Sequence, residues 1–350
     1  MKKSLIALAV LSAVAGAAQA QSNVTVYGVL DMAINNESNG VGSGGATKTA
    51  LDSGVQSGSR LGFKGSEDLG GGLKANFKLE MGVNADAGKS AQGGLAFGRA
   101  AWVGLSGDFG ALQFGRQNKP VFNAVDSIDP FETGIIGGTA GDSTSATGLG
   151  NLFFASNPRS DNTANYTTNN LGGFTGTVAY TFGEQAGDTG KASQIGASAT
   201  YAAGPLSAVI AYNTEKDKST PALNLKHTFA GLTYNFNVVK LAAAYGLVKA
   251  DAGYSPNGKV DNRLWMIGAT VPVSAAGAVI GSYTQTNDKL VTDGKGNQVA
   301  LGYTHSLSKR TNLYTSFSRI ANGANANAGG LAYKAGVTER MFNVGIRHMF

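Results

Sequence analysis

Leu73-Lys-Ala-Asn-Phe-Lys-Leu-Glu-Met81 alternates without a break: Leu73, Ala75, Phe77, Leu79 and Met81 share one face, and Lys74, Asn76, Lys78 and Glu80 the other. Period two over such a stretch is a β-strand with one apolar and one polar side. The pattern recurs along the chain. Phe174, Val178, Tyr180 and Phe182 oppose Thr175, Thr177, Ala179 and Thr181. Val24, Val26, Leu30, Met32 and Ile34 oppose Thr25, Tyr27 and Asp31, and Val299, Leu301, Tyr303 and Leu307 oppose Gln298, Thr304 and Ser306. A soluble sandwich alternates in the same way, so length has to separate the two readings. These strands run mostly to about 9–13 residues, against about five or six in globular sheets and roughly 9–11 for a tilted strand crossing a bilayer.

The connections agree with the longer measure. Very short turns at 66–72, 106–110, 203–205, 237, 274–276 and 308–310 alternate with long loops at 35–57, 84–93, 117–160, 184–192, 216–224, 250–262, 287–296 and 321–337. Short turns on one rim and long loops on the other are the layout of an outer-membrane barrel, and the alternating stretches number about sixteen. The expected fold is therefore all-β: a transmembrane antiparallel barrel. Phe342, Val344, Ile346 and Phe350 fall on one face of the last strand, interrupted only by His348. Lipid is the solvent that such a face demands, and closing the sheet satisfies its edges. Tyr27, Tyr180, Tyr201, Tyr212, Tyr234 and Tyr303 near strand ends suit interfacial girdles. Two places fit less well. Leu264 to Val273 is apolar on both faces, and the phase around Trp102 is ambiguous.

Composition bounds the rest. The 350 residues include 51 Gly and no Cys, with 14% charged residues and a mean hydropathy of −0.06. The glycines have no three-residue period, which excludes collagen, and absent cysteine removes disulfide scaffolds and thiolate metal sites. Beyond the N-terminus no apolar run approaches the ~20 residues of a membrane helix. Met1-Lys-Lys3, the apolar stretch from Leu5 to Val14 and Ala18-Gln-Ala20 together read as a secretory signal over residues 1–20, with the barrel over 21–350. Its removal lowers the formal charge from +6 to +4, too little to suggest a nucleic-acid partner.

Four segments, in order, resemble the trimeric general diffusion porins of Gram-negative outer membranes. They are Val24-Thr-Val-Tyr-Gly-Val-Leu-Asp31, Ser59-Arg-Leu-Gly-Phe-Lys-Gly-Ser-Glu-Asp-Leu-Gly70, Arg99 to Gly104 with Phe114-Gly-Arg-Gln117, and Asn343-Val-Gly-Ile-Arg-His-Met-Phe350. The resemblance implies a sixteen-stranded barrel, three to an assembly, whose third extracellular loop (about 117–160) folds inward to narrow a water-filled pore. Acids on that loop would face arginines on the opposite wall. Carried over residue by residue, the basic positions are Arg60, Arg99 and Arg159, and the loop candidates are Asp126, Asp129 and Glu132. A further basic position of the family is Val29 here, and Asp129-Pro-Phe-Glu-Thr-Gly134 departs from the enteric loop sequence. The terminal Phe350 would be the assembly signal. An arginine facing lipid at mid-depth costs roughly 2–4 kcal/mol, which independently turns Arg60 and Lys78 toward water.

The expected function is passive diffusion of small hydrophilic solutes and inorganic ions, with a weak anion preference, in contact with outer-membrane lipid and lipopolysaccharide. A substrate-selective channel is the alternative, although the lumenal residues are mostly Thr, Ser, Asn and Gly rather than aromatic or basic tracks. An outer-membrane hydrolase needs a nucleophile with a base held beside it, and only His227, His305 and His348 are present. His305 and His348 share the apolar face of their strands and suit interfaces. No catalytic residue, metal or cofactor is expected.

Overall fold

The computed structural model describes residues 23–134, 152–256 and 258–350. The segment expected to be a secretory signal, residues 1–20, and the middle of the long loop at 135–151 lie outside the described residues. One antiparallel sheet closes on itself. Among the described residues it contains eighteen strand segments, β1 (Asn23–Ser38) to β18 (Glu339–Met349), which make sixteen barrel staves because two staves are interrupted. The turn-side half of β1 pairs with β3 (Arg60–Gly70), from Asn23↔Ser66 to Val29↔Arg60. Its loop-side half pairs with β2 (Thr47–Ser53), from Met32↔Ser53 to Ser38↔Thr47. Residues 54–59 therefore bulge out of one stave at mid-height. The same happens beside β4 (Leu73–Asn84), which pairs with β5 (Lys89–Ser90) above and β6 (Ala100–Gly107) below. Both short upper segments fall within 35–57 and 84–93, which alternation alone reads as loops.

β18 closes the barrel on β1, from Val29↔Met349 to Ser38↔Arg340. The closure extends to Phe350, whose amide and carbonyl exchange hydrogen bonds with Gly28 at 3.1 and 3.0 Å. The Phe350 ring lies over Gly28, where an added Cβ would sit 2.3 Å from it. Only a glycine leaves room there.

The alternation sorts as lipid requires. Val178 is 55% exposed, Ile210 63% and Leu301 57%, a surface that water would penalise and a bilayer favours. Aromatic pairs mark two rims: Phe174–Tyr201 and Tyr234–Phe236 at the turn side, Tyr180–Phe182 and Trp265–Tyr283 at the loop side. Tyr27 corrects its expectation. It shares the face of Asp31 and donates its hydroxyl to Glu80 inside the barrel (2.7 Å), so it belongs to the lumen. Trp102, opposite Lys78 in register, shares that inner face.

The lumen holds the third long loop. Its helix α1 (Pro120–Ile128) starts at a proline in the first turn, where the missing amide costs nothing. The helix buries Val121, Phe122, Ala124, Val125 and Ile128, packing on β10 (Gln194–Ala203) to β13 (Lys240–Ala250). Leu264 and Met266 are 2% and 1% exposed in the same cluster. Their stretch is apolar on both faces because one side meets lipid and the other meets the loop.

Candidate functional site

Glycines on the inner wall form the loop's bed. Gly196, Gly231, Gly246, Gly268 and Gly302 lie under Pro120, Ile128, Phe153, Pro130 and Phe131 respectively, and a Cβ on any of them would fall 2.5–2.9 Å from the loop atom above it. Any larger residue would lift the loop. Both ends of the loop are also tied to the wall. Lys119, 4% exposed, places its ammonium 2.7 Å from the Glu215 carboxylate, which also accepts from Ser156 Oγ at 2.6 Å and Asn213 Nδ2 at 3.2 Å. Lys119 and Ser156 come from opposite ends of the loop, so one buried carboxylate holds both. Burial lowers the Lys119 pKa against the pull of Glu215. His227 lies fully buried beneath Phe153 and Phe154, accepting from the Ala155 amide at 3.3 Å.

The free edge of the loop faces the interrupted staves. Arg60, Arg99 and Arg159 line one cavity of about 180 Å³ together with Asp126, Glu132, Gln56 and Ser57. Five of the six charged residues expected from sequence are thus brought to one space. Each arginine is fixed from its own side. Arg99 Nε donates to Glu80 Oε1 at 2.8 Å, and Lys78 Nζ lies 3.1 Å from Glu80 Oε2. Arg60 Nε donates to the Gly58 carbonyl at 2.8 Å, and its terminal nitrogen donates to Ser57 Oγ. The Arg159 guanidinium lies 5.9 Å from the Phe122 ring centroid. Among the described residues, no ion pair joins a loop carboxylate to these arginines. The opposed charges stand across open space, where they produce a transverse field.

The interruption at 54–59 presents Gln56 and Ser57. Asp31 organises it, accepting from the Ser57 amide and the Tyr314 hydroxyl, each at 2.5 Å. Gly134 reaches so close to Gln56 that a Cβ would lie 1.8 Å from its carbonyl oxygen. The unusual ending of the loop sequence brings the loop tip against this bulge.

Asp129 departs from the other acids. It is 5% exposed, and its carboxylate accepts from the amides of Phe131 (3.0 Å) and Thr133 (3.2 Å), within the loop's own turn. Burial pushes its pKa up to about 7, and the two amides only partly oppose this. Asp126, which accepts from Thr133 Oγ1 at 2.8 Å, is also raised by burial. Sequence reasoning missed Glu80 as the anchor of Arg99, although alternation had placed it on the lumenal face. It also missed Arg347 and Lys240, which line a second space of about 500 Å³ beyond the same loop acids. Arg347 sits opposite in phase to Val344 and Ile346, a signal that was legible.

A closed sheet with an apolar exterior, a charged interior and a loop folded into it defines an outer-membrane channel barrel. The comparisons give its family. The model of the Gram-negative porin family matches residues 7–325, and the chain belongs to that family. It is 37% identical to outer membrane porin protein 32 of Delftia acidovorans and 33% identical to an outer membrane porin protein of Bordetella pertussis, each over the whole of both chains. The anion-selective porin from Comamonas acidovorans superposes with a TM-score of 0.80 at 31% identity, covering 94% of this chain and all of that one. The protein is accordingly an outer-membrane diffusion channel, in a family of channels and not of enzymes.

Proposed function

We propose that the gap between Arg60, Arg99 and Arg159 and the loop acids Asp126 and Glu132 is the pore's narrowest point and gives it a weak preference for anions. The observation that carries this reading is the unequal strength of the two sides. Three arginines stand against two carboxylates, Asp126 and Glu132, around the cavity; arginines keep their charge at ordinary pH values, whereas burial disfavours the ionised form of Asp126. The balance in the gap is therefore positive, and small anions and dipolar solutes are drawn in and oriented. Glu80 offsets part of this charge and keeps the preference modest. Asp129 is assigned to holding the loop turn. The anion-selective porin named above supports the same direction. In this reading the chain loses its signal near Ala20, assembles as a homotrimer using Phe350 as its assembly signal, and sits among outer-membrane lipid and lipopolysaccharide. Reversal potentials in planar bilayers under a potassium chloride gradient test it. The parent channel should reverse on the chloride side of zero, and Arg60→Ala with Arg99→Ala should move it toward cations. An unchanged potential in the double variant would remove both arginines from the narrow point.

A further inference from the structure

On the turn side of the arginines, the inner wall carries a second group of charged and aromatic side chains. Lys64 of β3 is opposite Lys78 of β4 in register, and Lys78 is opposite Trp102 of β6. The three form one row across adjacent staves. Lys64 follows Arg60 by four residues, about 13 Å along the strand. In the row above, Tyr27 is opposite Gly62, and its ring lies across that glycine, where an added Cβ would sit 2.4 Å from Tyr27 Cζ. Both ammonium groups gather over the ring, Lys64 Nζ at 5.2 Å and Lys78 Nζ at 5.9 Å from its centroid.

The charges of this row do not balance. Lys78 shares Glu80 with Arg99 and with the Tyr27 hydroxyl. None of the described ion pairs includes Lys64, and directly opposed lysines repel. Trp102 is the other anomaly. The chain has two tryptophans, and Trp265 pairs with Tyr283 in the lipid girdle. Trp102 instead stands half-buried on the inner wall. Its neighbours leave it room, with Gly104 next on the same face and Gly115 opposite in register. Lys64, Lys78 and Trp102 border a hollow of about 550 Å³, with Ser66, Asn76 and Gln113 on its turn side. Among the described residues, no Asp or Glu lines it.

We propose that this hollow is a second, weak solute site beyond the narrow point, selective for single-ring aromatic carboxylates. The carboxylate is held by Lys64 and Lys78, and the ring lies on the Trp102 indole. The proposal rests on the anion-preferring channel given under Proposed function and extends its selectivity from charge to ring. Neither half is selective alone, since two lysines attract any anion and an indole attracts any flat ring. Their places on neighbouring strands, about 4.8 Å apart, suit a carboxylate joined directly to a ring. Weak holding is what a channel needs, because the solute must also leave.

The test uses the full protein in planar bilayers in potassium chloride. Para-hydroxybenzoate, cyclohexanecarboxylate and phenol are added separately, as probes of ring with charge, charge alone and ring alone. The aromatic acid should lower the current saturably, at concentrations several-fold below those the other two require. Trp102→Leu should weaken its block by about two- to tenfold, the range of one aromatic contact, and bring it level with cyclohexanecarboxylate. Trp102→Phe should keep much of the difference, which a merely structural role would not predict. Lys64→Gln should weaken block by both acids and leave phenol unchanged. Equal block by the two acids in the parent would overturn the proposal, and that comparison needs no variant. An aromatic advantage that survives Trp102→Leu would overturn it too. The parent's reversal potential is read in the same membranes. Anion preference without discrimination between the acids would strike the hollow and leave the channel reading, whereas cation preference would strike the channel reading itself.

Discussion

Replacing Lys119 by Met tests whether the inward loop is held by the carboxylate at its base. The side chains of Lys119 and Glu215 are 3% and 8% exposed, and their charged atoms are 2.7 Å apart. Removing the cation leaves Glu215 buried with Ser156, Asn213 and the more distant His227 as polar neighbours among the described residues. Breaking one side of a buried pair costs about 3–5 kcal/mol, whereas replacing both partners by apolar groups of similar volume is often neutral. Lys119→Met should therefore destabilise the seated loop by about 3–5 kcal/mol, and adding Glu215→Leu should restore most of it. The assay combines thermal unfolding of the extracted protein with single-channel recording. The single variant should melt earlier and give noisy, flickering current as the loop lifts, and the double variant should be quieter. A single variant as stable and as quiet as the parent would refute the clasp. So would a double variant worse than the single one.

Two further outcomes follow from the same geometry. The pKa of Asp129 is raised to about 7 from an ordinary 3.8, so the folded loop binds its proton more tightly than the unfolded chain does. Its ionised form opposes the fold increasingly as pH rises from about 4 through 7. Lowering pH from 8 to 5 should thus tighten the loop and raise the melting temperature of the extracted protein, with Asp129→Asn flattening the profile. A lower melting temperature at pH 5 than at pH 8, equal in parent and variant, would contradict this. Gly28→Leu should displace the Phe350 ring from the barrel seam and lower the yield of folded barrel in outer-membrane fractions, by about 1–3 kcal/mol of overpacking. Normal yield and heat resistance in that variant would mean that the ring is not seated there.

The barrel was legible because lipid imposes a rule that each strand displays locally. Val178 and Thr177 reveal their sides without reference to any neighbour. The arginine wall was legible in part for a related reason, since Arg60 opposes Leu61 and Phe63 in phase and cannot face hydrocarbon. What escaped depends on contacts across the lumen. The both-sided stretch at Leu264 and Met266 looked anomalous because its inner partner is a loop more than a hundred residues away. The glycines beneath the loop resemble any strand glycine until the rings above them are known. Asp129 and Asp126 are three residues apart and alike in type. Only the turn at Pro130–Thr133 turns one toward its own amides and leaves the other beside the arginines. Local alternation also could not show that the second and fourth staves break at mid-height, because short paired segments above each break read as loop.

The central claim is that water fills the inside of this wall and lipid covers the outside. The natural chain has no cysteine, so single cysteines report each side without background. Thr304 lines the lumen and Leu301, three residues away on the same strand, faces outward. A charged, membrane-impermeant thiol reagent applied to the reconstituted channel should react with Thr304→Cys and reduce the current stepwise. Leu301→Cys should stay unreacted, with a fluorophore attached there quenched by spin-labelled lipid. Rapid labelling of Leu301→Cys by the aqueous reagent, with Thr304→Cys protected, would contradict the account.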